Sequence, residues 1–270
     1  MTISLLGIPH DSNSSFLGGT SSAPEPIFAA VKSDSANMFC ESGHDLGAEG
    51  VMREAGQLDV RELRDQAAFD AINEGAGEVL ATGDTLISLG GDHSVTYPLV
   101  MAHIDKYGPL SILHFDAHPD LYEDFEGNPF SHASPFARLM ESGQITRLVQ
   151  VGIRTLNTHQ REQAARYGVE QHEMRDLSGI GAISFEGPVY VSIDIDALDP
   201  AYAPGVSHHE PGGMSTRQVI DCIHAMRGHV IGGDVVEYNP TRDINGVTAR
   251  VAAKLVKELA GRILDNRLAS

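Results

Sequence analysis

The stretch LHFDAHPDLY, residues 113–122, sets Asp116, His118 and Asp120 two apart, directly after an apolar run. Alternate residues of an extended segment point the same way, so the three share one side. Clustered carboxylates at a buried strand end are costly unless something cationic holds them. SIDIDALDP, residues 192–200, repeats the pattern with Asp194 and Asp196, and GGDHS, residues 90–94, projects His93 after two glycines that permit a sharp turn. These six side chains comprise two imidazoles and four carboxylates with no cysteine, a donor set that suits manganese better than structural zinc. Four carboxylates would neutralise two divalent ions. Such ions, roughly 3.5–4 Å apart, can share a bridging water and lower its pKa toward neutrality. The chemistry this points to is metal-assisted hydrolysis. GGDVVEYNP, residues 232–240, adds Asp234 and Glu237; beside two cations, Glu237 is available to pair with a positively charged substrate. Taken singly each motif is weak, since His93 alone reads as a hydrogen-bonded loop residue and Asp120 alone as a cap. Asp199, before Pro200, reads as a turn builder, with a supporting role toward a metal ligand as the alternative. Three such motifs at three strand ends form a strong signal.

The elements that must position these residues are legible as apolar runs: 3–9, 85–94, 110–118, 147–154, 189–199 and 229–239. They are continuous rather than alternating, as in strands buried on both faces. Between them, residues 66–82, 215–227 (with Ser215 as N-cap) and 247–264 carry helical spacing. Strand and helix alternating many times predict a mostly parallel sheet with helices on both faces, and in such sheets sites form at the carboxyl ends of strands. Residues 32–59 contain Gly43, Gly47, Gly50 and Gly56 and read as a surface excursion. With no repeat, low-complexity tract or linker, residues 1–270 read as one catalytic domain.

Composition bounds the class. The chain has 270 residues, 41% hydrophobic and 21% charged, which describes a soluble globular protein. The formal charge of −18 argues against nucleic acid and against an anionic membrane surface, and permits a cationic substrate; most of that charge serves solubility. The N-terminal segment MTISLLGIPHDSN lacks a basic n-region and reads as a first strand, which predicts a cytoplasmic chain. Cys40 and Cys222, far apart, read as free thiols.

GGDHS, DAHPD and SIDIDALDP resemble the three signature segments of the ureohydrolases, the arginase and agmatinase family. The resemblance runs from LGIPHDSNSSFLGG (6–19) to VAAKLVKELA (251–260). Residues 130–143, 150–174 and 203–215 look closest to plant-type arginases. It implies a three-layer α/β/α sandwich of the arginase/deacetylase-like type and two Mn2+ per chain. His93, Asp116, Asp120 and Asp194 would hold one ion and His118, Asp116, Asp194 and Asp196 the other, with Asp116 and Asp194 bridging. The bridging hydroxide would attack the guanidinium carbon of the substrate. Glu237 matches the glutamate that orients the guanidinium, and His132, in FSHAS, the histidine that shuttles protons. Chemistry supports both roles, because a guanidinium pairs naturally with a carboxylate and an imidazole titrates in the range the leaving amine requires. Asn157 stands where animal arginases carry an aspartate that contacts the substrate's α-amino group, and His208 stands where the family commonly has threonine. Asn128, Asn157 and His208 are therefore the expected substrate rim.

The activity implied is that of an arginase, L-arginine and water giving L-ornithine and urea. Agmatinase or another guanidino-acid hydrolase is the alternative. A non-catalytic family member would have lost metal ligands, and all six are present. A single-zinc deacetylase would need fewer carboxylates. The family forms trimers or hexamers, so a homo-oligomer is expected.

Overall fold

The structure, a computed structural model, describes residues 2–177 and 182–266. Eight strands form one sheet: β1 (Ile3–Gly7), β2 (Met52–Gln57), β3 (Thr85–Leu89), β4 (Leu110–Phe115), β5 (Ile145–Ile153), β6 (Glu170–Glu173), β7 (Ser184–Asp194) and β8 (Arg227–Val236). The order is β2-β1-β3-β8-β7-β4-β5-β6, and every neighbouring pair is parallel. The helices are α1 (Pro24–Val31), α2 (Asp65–Ala81), α3 (Thr96–Tyr107), α4 (Pro135–Glu141), α5 (Thr158–Tyr167), α6 (Thr216–Ala225) and α7 (Val247–Asp265).

Alternation along the strands divides the core in two. Leu113, Val191 and Val235 pack with Ile27 of α1, Ile223 of α6 and Leu259 of α7. Ile112, Tyr190 and Ile231 pack on the other side with Ile72 of α2, Leu99 of α3 and Phe136 of α4. This is the three-layer arrangement, with a wholly rather than mostly parallel sheet. Residues of β1, β3 and β4 are buried throughout, which is why those strands read as unbroken apolar runs.

The three expected helices correspond to α2, α6 and α7. Ser215 caps α6 in a capping box with Gln218, which satisfies two of the amides left free at the helix start. Two strands were not anticipated, β2 within the supposed excursion and β6 after α5. Both are sheet edges, and their sequences, MREAGQ and EQHE, carry no apolar signal. Cys40 and Cys222 are free thiols. Among the described residues no helix is long and apolar enough to cross a membrane.

The four motif-bearing strands are consecutive at the centre of the sheet: β3, β8, β7 and β4. Strands of a sheet stand about 4.8 Å apart, so their carboxyl ends deliver the motifs of residues 90–94, 232–240, 192–200 and 113–122 to one place.

Candidate metal centre

His93 follows β3 on a short 3₁₀ turn capped by Asp92, whose carboxylate accepts from the amide of Ser94 at 3.1 Å and from that of Asn13 at 2.9 Å. The turn requires Gly91 at φ 89, where a Cβ would stand 2.8 Å from the His10 carbonyl oxygen. His93 Nδ1 lies 3.1 Å from Asp116 Oδ2, 3.1 Å from Asp120 Oδ2 and 3.2 Å from Asp194 Oδ2. His118 Nδ1 lies 3.4 Å from the other oxygen of Asp116, Oδ1, and 3.0 Å from Asp196 Oδ2. All six sequence-identified ligands thus converge, in two groups joined by Asp116. Asp194 Oδ1 caps the turn that carries Asp196, accepting from the Asp196 amide at 2.6 Å.

A divalent cation fits this donor set. His93 Nδ1 is buried with no hydrogen-bond partner, although three carboxylate oxygens ring it, and a buried polar atom left so requires a partner of another kind. The far nitrogen of that ring is occupied: Nε2 stands 3.0 Å from Ser192 Oγ, which donates to Asp234 Oδ1 at 2.7 Å. Asp234 also accepts from Thr96 and Tyr190. It is therefore a buttress beneath the site and holds His93 through Ser192. Burial, then the charges of Asp196 and Asp116, push the Asp194 carboxyl well above its usual range. Burial opposes protonation of His93 and His118, and the facing carboxylates overturn it, lifting both imidazoles well above theirs. Asp120 too is pushed up, by burial and then by the charge of Asp116, and carboxyls that draw protons onto themselves and onto the facing histidines belong to a cluster in need of positive charge.

Glu237 and His132 meet beside this cluster. Glu237 Oε1 accepts from the His93 amide at 2.9 Å and from His132 Nδ1 at 2.8 Å. Its Oε2 has no hydrogen bond among the described residues. Ser15 faces the other nitrogen of His132 with both an amide (3.2 Å) and a hydroxyl (2.8 Å). The amide donates to a neutral ring and the hydroxyl accepts from a charged one, so Ser15 serves both protonation states. Asp120 and Glu237 both sit in the left-handed region, at φ 49 and φ 62, a strain of order 1 kcal/mol each that clusters at functional sites.

A cavity of about 190 Å³ opens over these groups, lined by Ser15, His118, Tyr122, His132, Thr155, His208 and Glu237 among others. His208 sits over it, 5.3 Å from the His132 ring and 5.8 Å from that of His118. Two expected rim residues are placed elsewhere. Asn157 caps α5 through its Oδ1, accepting from the Gln160 amide at 2.9 Å, and its Nδ2 donates to Tyr122 Oη at 2.5 Å. Asn128 folds its own loop, accepting from the Phe130 amide at 2.9 Å. Neither lines the cavity; their side chains are spent on local backbone, the usual fate of asparagine in loops. Tyr122 stands at the rim where Asn157 was expected. Asp199 builds its turn, accepting from the amides of Ala201, Gly212 and Gly213. Unanticipated is Arg154, whose guanidinium gathers the carbonyls of Gly152, Asp196, Ala197 and Glu210 and so fixes the loop that carries Asp196.

The family model described as "Arginase family" matches residues 1–261. "Arginase, mitochondrial" of Medicago truncatula is 49% identical, over 97% of this chain and 82% of its own length. A solved structure, "Arginase from Medicago truncatula", superposes with a TM-score of 0.94 at 48% identity, covering 97% of this chain and 87% of that one. The "N(1)-aminopropylagmatine ureohydrolase" of Thermus thermophilus is 37% identical over 95% of this chain and 88% of its own length. These relatives correct the expected cytoplasmic location: the Medicago arginase is named mitochondrial, and one from Arabidopsis thaliana chloroplastic/mitochondrial. The cytoplasmic reading rested on the lack of a basic n-region and on Ile3–Gly7 forming a strand. They do form one, but a strand reports the fold and not the compartment.

Proposed function

This chain belongs to the arginase family and is a ureohydrolase, and we propose that it hydrolyses L-arginine to L-ornithine and urea with two manganese ions. The observation that carries this reading is the sharing of Asp116, with Oδ2 3.1 Å from His93 Nδ1 and Oδ1 3.4 Å from His118 Nδ1. One carboxylate between two imidazole-centred groups is the arrangement a two-ion site demands. His93, Asp116, Asp120 and Asp194 would hold one ion and His118, Asp116, Asp194 and Asp196 the other. Bound there, a pair of divalent ions would lower the pKa of a shared water toward neutrality and so supply the nucleophile.

The remaining chemistry belongs to the chain. Glu237 offers its unpaired Oε2 to a guanidinium N–H, a charge-assisted contact that orients the planar cation. Fixed carboxylates around it favour positive charge as it redistributes toward the transition state. His132 carries a proton on Nδ1, held by Glu237, and a second on Nε2 when charged. Transfer of that second proton to the departing amine leaves the neutral ring, which the Ser15 amide then satisfies. Water adds to the guanidinium carbon, its C–N bond to the side chain breaks, and urea and the amine leave. His208 and Tyr122 wall the cavity along the substrate's aliphatic arm.

A second reading, an amine substrate such as agmatine, is favoured by one feature. Among the described residues lining the cavity none is lysine or arginine. An α-carboxylate would therefore be met by hydroxyls such as those of Ser15 and Tyr122, since that of Thr155 donates to the Ala117 carbonyl. Urea release measured side by side from L-arginine, agmatine, 4-guanidinobutyrate and guanidine, with manganese supplied, decides between them. The highest kcat/KM should be for L-arginine. A clear preference for agmatine would overturn the substrate assignment and leave the metal chemistry intact.

A further inference from the structure

His114, on β4, precedes Asp116 by two residues, and the Asp116 amide carries the ladder one residue past the strand by donating to the Val151 carbonyl, so both face the same side of the sheet. Its Nε2 is 2.8 Å from Asp116 Oδ2, the oxygen that also faces His93. His93, His114 and Asp116 each place a donor atom within 4.8 Å of the others. On distance alone His114 is a seventh ligand. The deciding question is which ring nitrogen carries hydrogen.

Gln150, paired with His114 across β4 and β5, answers it. One amide atom of Gln150 stands 2.6 Å from the carbonyl oxygen of Pro119. A carbonyl only accepts, so that atom is the amide nitrogen. The same nitrogen lies 3.0 Å from His114 Nδ1, and the amide oxygen accepts from Gln171 at 2.8 Å. An amide nitrogen donates, so Nδ1 must present its lone pair. The ring hydrogen is then on Nε2 and points at Asp116. Phe136 stacks on the imidazole at 3.9 Å between centroids, with planes 28° apart, and fixes its plane.

We propose that His114, in a tautomer set by Gln150, is a positioning residue rather than a metal ligand: it pins Asp116 Oδ2 by donation and leaves Oδ1 turned toward His118. Neither ring nitrogen is free to coordinate, since Nδ1 is taken by Gln150 and Nε2 bears the hydrogen. The inference rests on the reading of Asp116 as a ligand shared by two ions. Partners of this kind typically contribute 10- to 100-fold in metal affinity.

The test is manganese binding to full-length protein, followed by the EPR signal of free Mn2+, in wild type, H114F, H114Q and Q150L. Phenylalanine keeps the stack on Phe136 and removes the donor. Glutamine places an amide N–H near the position of Nε2 and should restore it. H114F is expected to bind manganese roughly 10- to 100-fold more weakly, H114Q close to wild type, and Q150L in between. H114F equal to wild type, or H114Q as weak as H114F, overturns the proposal. If H114F does not fold, Q150L decides, and affinity equal to wild type overturns it. Wild type taking up fewer than two ions overturns the parent reading as well, whereas two ions in wild type with unchanged variants overturns this one alone.

Discussion

The coupling of Glu237 to His132 is measurable as a pH dependence of stability. Burial alone would push the His132 imidazole down, but the charge and hydrogen bond of Glu237, with smaller help from the charges of Asp92 and Asp120, outweigh it and lift its pKa from 6.5 to about 9. At about 1.36 kcal/mol per pKa unit, a gap of that size corresponds to roughly 3 kcal/mol. The folded state holds this proton more tightly than the unfolded chain does. The stabilisation is therefore complete below pH 6.5 and is lost as the pH rises through about 9. Glu237→Gln isolates the charge: the amide oxygen can still accept from the His93 amide and from His132 Nδ1, and the backbone at φ 62 is strained equally in both proteins. Urea unfolding of EDTA-treated wild type and E237Q, at about pH 6 and about pH 9.5, gives the two differences needed. Other titrating groups, His93 and His118 among them, are present in both proteins and cancel to first order. Wild type should lose more than E237Q across the window, by up to roughly 3 kcal/mol, the part left in E237Q being that of Asp92 and Asp120. Equal losses would refute the coupling, and with it the proton store assigned to His132.

Manganese should stabilise the protein as well as activate it: at 100 times its Kd each ion adds about 2.7 kcal/mol. Two ions should raise the calorimetric midpoint of an EDTA-treated sample by roughly 10–20 °C, and a shift under about 3 °C would contradict a two-ion site. Asn157→Ala removes the α5 cap and should cost about 1 kcal/mol of stability. It should also change the arginine-to-agmatine ratio of kcat/KM by less than about tenfold, or about 1.4 kcal/mol; a larger selective loss for arginine would return Asn157 to the substrate rim.

The central strands were legible because burial on both faces forces an apolar run, and β3, β4, β7 and β8 obey it. The edges were not. β2 and β6 are strands because a neighbour offers them a ladder, Ile3–Gly7 to Met52–Gln57 and Val149–Ile153 to Glu170–Glu173, and half-exposed edge positions tolerate Arg53, Glu54 or Gln171 without cost. Loop side chains misled for a related reason. Asn128 and Asn157 offer the same groups to a substrate as to their own backbone, and no spacing rule says which will be satisfied.

The six candidate ligands were legible because strand ends place them, five by a period of two and His93 by the turn after Gly90 and Gly91. The row beneath was not, although the same period marks it: His114 is two before Asp116, and Ser192 two before Asp194. What gives that row meaning is register between strands. Asp234 pairs with Ser192, Ser192 with His114, His114 with Gln150 and Gln150 with Gln171, so one polar line, buried as far as Gln150 and half-buried at Gln171, crosses five strands under the candidate ligands. Each member then has a partner it lacks in its own segment: Ser192 donates to Asp234, Gln150 donates to His114, and Gln171 donates to Gln150. A buried histidine or serine in an apolar run looks like an unsatisfied defect until the neighbouring strand is in place. The candidate ligand row can be read from single segments because a cation would satisfy it. The row below is satisfied only by other strands, and it appears with the sheet.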